Sequence, residues 1–327
     1  FLRSIPNLRQ MMPLPTYRIA HERLGKVQAL AVLSSDALSS VAYATEEILM
    51  VLVLAGATAL NLSWPIALAI AALLMIVGMS YFQTVHAYPG GAGSYIVSRE
   101  NLGTMPSLVA GASLLTDYIL TVAVSISAGT AAITSAFPVL YPWRVELAVG
   151  AIALITITNL RGVRESARVF AVPTYFFIAC MLTLIGVGLA RVLTGSLQPM
   201  EALESTMVQG AQPLTLFLLL RAFTSGCTAL TGVEAISDGV PVFKPPEGEN
   251  AGKTLLWMIA ILVTMFLGIT FLAHQIGVTP REGETVVSQI ARTVFGRGVF
   301  YYLIQAATML ILVLAANTSY ADFPRLS

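Results

Sequence analysis

The chain reads as an all-α polytopic membrane bundle, and three observations predict that class. Of 327 residues, 56% are hydrophobic and 11% charged, against about 25% charged in a soluble domain. The apolar residues come in runs of about twenty with few charges, the length a helix needs to cross roughly 30 Å of hydrocarbon. Mean hydropathy is +0.79. A water-soluble enzyme is thereby excluded. With 18 basic and 17 acidic residues, no charge excess is left to recruit a nucleic acid.

Hydropathy and breaker residues divide the chain into eight candidate spans, about 27 to 55, 64 to 85, 107 to 137, 145 to 160, 170 to 193, 213 to 240, 254 to 275 and 298 to 320. With a cytoplasmic N-terminus, Arg3, Arg9, Arg18, Arg23, Lys26, Arg99, Arg161, Arg164, Arg168, Lys244, Lys253 and Arg325 face inside. Arg144, Arg191, Arg281, Arg292 and Arg297 face outside. That split follows the positive-inside bias and predicts a multi-pass membrane protein with its N-terminus in the cytoplasm. Arg221 falls within span six. Its two readings are snorkelling to the outer interface and a gating ion pair with Glu46 or Glu47. From Glu284 to Arg297, apolar residues at helical spacing predict a helix in an outer loop, either interfacial or an ordinary ordered one. Cys180 and Cys227 lie in apolar runs and read as packing residues. No metal-ligand spacing and no disulfide framework is present in the sequence. The chain starts at Phe1 and its last apolar run stops at Pro324-Arg325-Leu326-Ser327, so a piece of a longer domain is expected.

Internal symmetry organises these spans. Span one contains Asp36-Ala37-Leu38-Ser39-Ser40-Val41 and span six contains Thr228-Ala229-Leu230-Thr231-Gly232-Val233. The match sits where a five-plus-five inverted repeat places its two broken helices. Residues 1–327 then read as a single transmembrane domain, with 27–193 the first inverted repeat and 213–327 the start of the second. Both spans carry small and hydroxyl residues at mid-depth, Ser34 to Ser40 and Thr224 to Gly232. Such residues let a helix unwind where the freed groups line a cavity, and they also let helices pack closely.

Acids decide between those readings, because a carboxylate at mid-bilayer costs roughly 2.5–3.5 kcal/mol on insertion scales. Asp36 sits in the span-one break, Asp117 in span three and Glu234 just after the span-six break, with Glu46 and Glu47 nearer the outer end of span one. On span one, Asp36, Ser40, Tyr43 and Glu47 share a face if the helix resumes after its break. On span three, Asp117, Thr121 and Ser125 step by four with Tyr118 beside them, and on span six Thr228, Thr231 and Glu234 step by three. These faces offer carboxylate, hydroxyl, phenol and carbonyl oxygen without imidazole, a set suited to a hard cation rather than a transition metal. Tyr43 and Tyr118 also have a packing reading. Asn317 and Thr318, deep in span eight, read either as cation ligands or as polar glue between helices.

The string Leu33-Ser34-Ser35-Asp36-Ala37-Leu38-Ser39-Ser40-Val41-Ala42-Tyr43 resembles the Kim-type bacterial potassium importers of the amino acid–polyamine–organocation superfamily. So do the strings from Asp117 to Gly129 and from Gly226 to Ser237. The likeness runs from about Lys26 to Phe323. Ala87-Tyr88-Pro89-Gly90-Gly91-Ala92-Gly93-Ser94-Tyr95 is similar to the superfamily's more general Pro-x-Gly-Gly loop. The resemblance implies the leucine-transporter fold, a homodimer in the lipid bilayer, and potassium:proton symport with no cofactor beyond the potassium ion carried as substrate. It places Asp36, Tyr43, Asp117, Tyr118, Thr121, Ser125, Thr231 and Glu234 in the cation path. A further tyrosine ligand and a tail that binds cyclic di-AMP have no counterpart in this sequence, so the piece alone is expected neither to transport nor to answer that nucleotide.

Charge sign favours the same substrate over an amino acid. A zwitterion needs its carboxylate docked on free N–H groups at the break, and here Asp36 occupies that place and repels it. A basic amine or polyamine is the alternative. The expected site holds dehydrated potassium with Asp36, Tyr43, Thr121, Ser125 and Thr231. Asp117 and Glu234 balance charge, and at least one of them, Glu234 ahead of Asp117, is expected to exchange a proton. A channel would use the same oxygens, but broken helices in an inverted repeat point to alternating access. No nucleophile–base pair or phosphate loop supports an enzyme.

Overall fold

In a computed structural model of the chain, the described residues are 23–91, 93–160, 167–197 and 212–326. Of the basic residues that set the expected orientation, Arg3, Arg9, Arg18, Arg161 and Arg164 lie outside them, as do the side chains of Arg168 and Arg325. The described residues form helices without strands. Eight stretches are long and apolar enough to cross a membrane: Ser35–Ala55, Ala57–Ala87, Thr104–Ala136, Pro138–Leu160, Phe170–Leu193, Leu216–Asp238, Glu247–Ile276 and Val299–Tyr320. They correspond one for one to the eight spans read from hydropathy. The fold is thus an all-α polytopic membrane bundle.

Span one is built of three pieces, α1 (Lys26–Leu33), α2 (Ser35–Ser39) and α3 (Ala44–Leu52), with a 3-10 turn at Ser40–Ala42. The long α4 (Ser63–Ala87) follows, then a short helix α5 (Ser94–Leu102) leading into α6 (Thr104–Ala136), α7 (Arg144–Leu160) and α8 (Ala167–Leu193). Span six is again interrupted: α9 (Leu216–Gly226), a 3-10 turn at Cys227–Leu230, and α10 (Ala235–Asp238). The rest is α11 (Glu247–Ile276), the loop helix α12 (Val286–Phe295) and α13 (Val299–Leu326). Below, the face at which Lys26 lies is called near and the opposite one far; alternation of the helices assigns every loop to one of them.

Sequence explains the stops. Gly277 adopts a left-handed conformation after α11, and the Val278 N–H donates to the Ala273 carbonyl at 2.9 Å, closing the helix end. Thr285 caps α12 by accepting from the Ser288 N–H at 3.2 Å. α12 buries Val286, Val287, Ile290, Ala291 and Val294 in the protein core, so the loop helix packs on the bundle and is not interfacial. At the near face, the Leu24 N–H donates to the Val242 carbonyl at 2.8 Å and the Lys244 N–H to the Leu24 carbonyl at 3.1 Å. Arg23 pairs with Glu247 beside them. These contacts strap the entry of span one to the exit of span six.

Span one is the most enclosed, and neighbours satisfy its backbone. The Thr174 hydroxyl of α8 donates to the Ala31 carbonyl at 3.0 Å, and the Tyr175 hydroxyl to the Val27 carbonyl at 2.8 Å. A separate polar tie joins α7 to α13. Asn159 Nδ2 donates to Asn317 Oδ1 at 2.7 Å, and the hydroxyls of Thr156 and Tyr320 meet at 2.8 Å. At the far end, the fully buried Tyr301 donates to the Ser135 carbonyl at 2.9 Å and pairs with the Ser288 hydroxyl at 2.9 Å, joining α13, α6 and α12. Tyr301→Phe leaves both partners without that hydroxyl, a loss of about 1–3 kcal/mol. A thermal midpoint lowered by a few degrees in detergent is therefore expected, and an unchanged midpoint would show that the far-end junction does not depend on it.

Candidate functional site

The span-one break starts where hydroxyl side chains compete for backbone carbonyls. Ser34 Oγ donates back to the Leu30 carbonyl, Ser39 Oγ to the Asp36 carbonyl at 2.7 Å and Ser40 Oγ to the Ala37 carbonyl at 2.6 Å. Each supplies a carbonyl with a partner other than the helical N–H, which is how Ser loosens a helix. Tyr43 then leaves the helical region (φ −129°, ψ −21°) before α3 resumes. In span six, Thr231 is extended (φ −60°, ψ 146°), its hydroxyl donating to the Thr228 carbonyl at 2.9 Å, and Gly232 has φ +73°. Thr228, Thr231 and Glu234 consequently do not form one helical face, as their spacing had implied. The chain turns between them, because the positive φ of Gly232 ends the helical periodicity.

The two breaks lie against each other. A Cβ on Gly232 would sit 2.7 Å from the Ala37 nitrogen and 2.8 Å from Asp36 Oδ2, so only a glycine admits this approach. The Tyr43 side chain lies beside that of Thr231, with the carboxylates of Asp36, Asp117 and Glu47 within electrostatic reach. Asp36 and Tyr43 are each 5% exposed, Thr121 is 4% exposed and Ser125 is fully enclosed. Two oxygens in this region, Ser125 Oγ and Thr228 Oγ1, are buried without a hydrogen-bond partner. Buried polar atoms are almost always paired, so these are positioned to meet something that the side chains do not supply.

A cavity opens on each side of the cluster. The far one, about 340 Å³, is lined by Tyr43, Glu46, Glu47, Ser127, Thr285 and Thr308. The near one, about 440 Å³, is lined by Ser94, Ser113, Asp117, Cys227, Thr231 and Glu234. On α6, Thr121 and Ser125 fall between Asp117, in the near cavity, and Ser127, in the far one. Tyr43 belongs to the far wall and Thr231 to the near wall, so this neighbouring pair stands between the two compartments.

Other candidates are placed differently. Tyr118 lines a separate pocket with Ile119, Val122, Ser319, Tyr320 and Phe323, between spans three and eight. Thr318 Oγ1 lies 3.2 Å from Ser35 Oγ, next to Asp36, while Asn317 is engaged by Asn159. Arg221 is exposed and, among the described residues, makes no ion pair with Glu46 or Glu47. Glu46 Oε2 instead accepts from the Val286 N–H at 3.2 Å. Cys227, read as packing from its apolar run, lines the near cavity beside Glu234. Sequence reasoning did not find Ser94 or Tyr81, whose hydroxyls approach to 3.4 Å at the near mouth. The glycine-rich string before Ser94 was the available signal.

This arrangement of interrupted spans around buried oxygens defines a membrane transporter of the permease type. The chain belongs to the amino acid permease family, whose profile matches residues 24–327. Among curated proteins it is similar to the potassium transporter KimA of Bacillus subtilis (strain 168), 54% identical over 316 residues. The alignment covers 96% of this chain and 52% of KimA, so the chain spans about half the length of that relative.

The contact between the two breaks is testable on its own. Gly232→Ala both strains the backbone and drives a methyl into Ala37 and Asp36. Folded protein should fall several-fold in size-exclusion yield or show a lower melting midpoint, by about 2 kcal/mol of destabilisation. Wild-type behaviour would mean that the breaks do not touch as described.

Proposed function

We propose that the protein carries potassium ions into the cell as a secondary active transporter, with the near face cytosolic. The observation that carries this reading is the oxygen cluster itself. Asp36, Tyr43, Thr121 and Ser125 are each buried, Thr231 lies beside Tyr43, and the hydroxyl oxygens of Ser125 and Thr228 have no partner among the described residues. A dehydrated monovalent cation supplies what such a group of acceptors needs, and the Asp36 charge offsets that of the ion. The KimA relative is a potassium transporter, which supports the choice among cations.

In the proposed cycle, potassium enters from the far cavity past Glu46 and Glu47 and is held by Asp36, Tyr43, Thr121, Ser125 and Thr231. It leaves through the near cavity past Asp117 and Glu234. Parting Tyr43 from Thr231, by rocking spans one and six against the rest of the bundle, gives alternating access. Glu234, at the near cavity and next to the span-six break, is the proposed proton carrier, with Asp117 as charge partner. Within this reading the fold is that of the leucine transporter, with 27–193 and 213–327 as inverted repeats. The working protein is a homodimer in a bacterial cell membrane, and a tail on the full-length protein is the place for cyclic di-AMP control.

A basic amine or polyamine is the second reading. The size of the near cavity, about 440 Å³ with two carboxylates in its wall, favours it. Uptake of potassium, rubidium, lysine and putrescine by full-length protein in a potassium-uptake-deficient cell separates the two, and saturable potassium uptake that the amines leave unaltered is the expected result.

Two substitutions test the roles. Asp36→Asn removes a charge-assisted contact of about 1.5–3 kcal/mol, so the apparent potassium affinity should fall about tenfold to hundredfold. Accumulation at wild-type affinity would rule Asp36 out as a ligand. Glu234→Gln should make initial uptake rates independent of external pH while binding persists, and a retained pH profile would reassign the proton to another group.

A further inference from the structure

Two short helices that cross nothing, α5 and α12, begin in the same way at opposite faces. Each meets a carboxylate from a broken span. At the far face, Glu46 of span one accepts from the Val286 N–H, the first of α12, at 3.2 Å. At the near face, α5 follows Gly93, which has no side chain to cap it and no side-chain capping bond. A Cβ on Gly93 would fall 2.2 Å from Asp238 Oδ1, so the carboxylate of span six occupies the place where a capping side chain would be. The backbone of Gly91 (φ +83°) runs equally close: its Cβ would lie 2.9 Å from both the Asp238 carbonyl oxygen and Pro241 Cδ. These contacts explain why the sequence repeats glycine before Ser94.

The register of the two contacts is the same. Asp36 and Thr228, the first residues of the matched hexapeptides, are 192 positions apart; so are Glu46 and Asp238, and so are Gly93 and Thr285, the residues preceding the two helices. In a pair of units related by a two-fold axis, a contact from element A of one unit to element B of the other must recur with the units exchanged. Glu46 to the start of α12 and Asp238 to the start of α5 are such a reciprocal pair.

We propose that Glu46 and Asp238 are matched positioning residues, each capping the loop helix of the opposite half and so latching one face of the transport path. The near latch holds Ser94 at the lip of the cavity that contains Glu234, beside Tyr81, which is within electrostatic reach of both Glu234 and Asp238. An acidic group at a helix start is favoured by the unpaired N–H groups and the local dipole there. The latches act in opposition. Releasing one favours opening of its own face and closure of the other. This step rests on the alternating-access reading, not on which ion is carried.

Cys227 in the near cavity is a built-in reporter. In full-length protein carrying Cys180→Ser, its reaction with a membrane-impermeant thiosulfonate added to inside-out vesicles measures near-face opening. Asp238→Ala should raise the labelling rate about fivefold, the population shift that losing one helix cap gives. Glu46→Ala should lower it by a similar factor. Asp238→Asn and Glu46→Gln keep an acceptor oxygen and should stay near the parent rate. Gly93→Ala, which pushes the carboxylate away without removing it, should act as Asp238→Ala does, and it serves as the near-latch test if Asp238→Ala does not reach the membrane. Shifts of the same sign at both positions, no shift, or amide variants that behave as the alanines do would overturn the proposal. Potassium independence of the labelling keeps this result separate from the choice of substrate.

Discussion

Close approach of the span-six backbone to the Asp36 carboxylate is the constraint on which the rest of the site depends. A carboxylate enclosed to 5% exposure inside a membrane bundle is costly, and a straight helix would offer it only the side chains of its neighbours. Interrupting both helices changes the supply of partners. Carbonyls at Leu30, Asp36, Ala37 and Thr228 accept from the hydroxyls of Ser34, Ser39, Ser40 and Thr231. Those hydroxyls keep the breaks from costing unpaired backbone groups. Gly232 then lets the second chain come within reach of Asp36. Any larger residue would part the two breaks, and the cluster would no longer have two walls.

Once the breaks touch, the membrane path is divided. Far and near cavities share no lining residue, and Tyr43 and Thr231 stand one in each wall. Span three supplies the continuous side of the site, carrying Asp117, Thr121 and Ser125 on successive turns of an unbroken helix. Its regularity complements the irregularity opposite. A straight polar ladder can face a moving partner without unpairing its own backbone, because every N–H and C=O in it is satisfied within the helix. The tie of Asn159 to Asn317 fixes α13 to α7 on the same side.

Much of the fold was legible in the sequence because hydrocarbon thickness acts on each span separately. Eight apolar runs gave eight spanning helices, and the Ser34 to Ser40 string gave the first break, since hydroxyl–carbonyl competition is local. The second break was legible in place but not in shape. A three-residue spacing from Thr228 to Glu234 looks helical until the left-handed Gly232 is known, and a positive φ leaves no trace in periodicity. Long-range partners were the least legible. Glu46 was weighed against Arg221 and instead meets a backbone N–H 240 residues away in sequence. Tyr118 stands beside Asp117 in sequence yet lines another pocket, because adjacent residues on a helix point about 100° apart.

Reciprocal capping bears on the origin of the architecture as well as on its motion. The six-residue match between spans one and six is short, and composition alone could produce it. A contact map is a more demanding criterion. If two halves were unrelated, a carboxylate of the first at the start of a helix in the second would carry no implication for the reverse contact. Here the reverse contact exists, at the same spacing from the break and before the corresponding loop helix. The two starts differ in chemistry: Thr285 contributes its own hydroxyl to α12, whereas Gly93 has no side chain and Asp238 Oδ1 lies where one would be. Under the proposed latches each loop helix takes a carboxylate from the broken span distant in sequence, so α5 and α12 are set by contacts that neither stretch of chain could make alone.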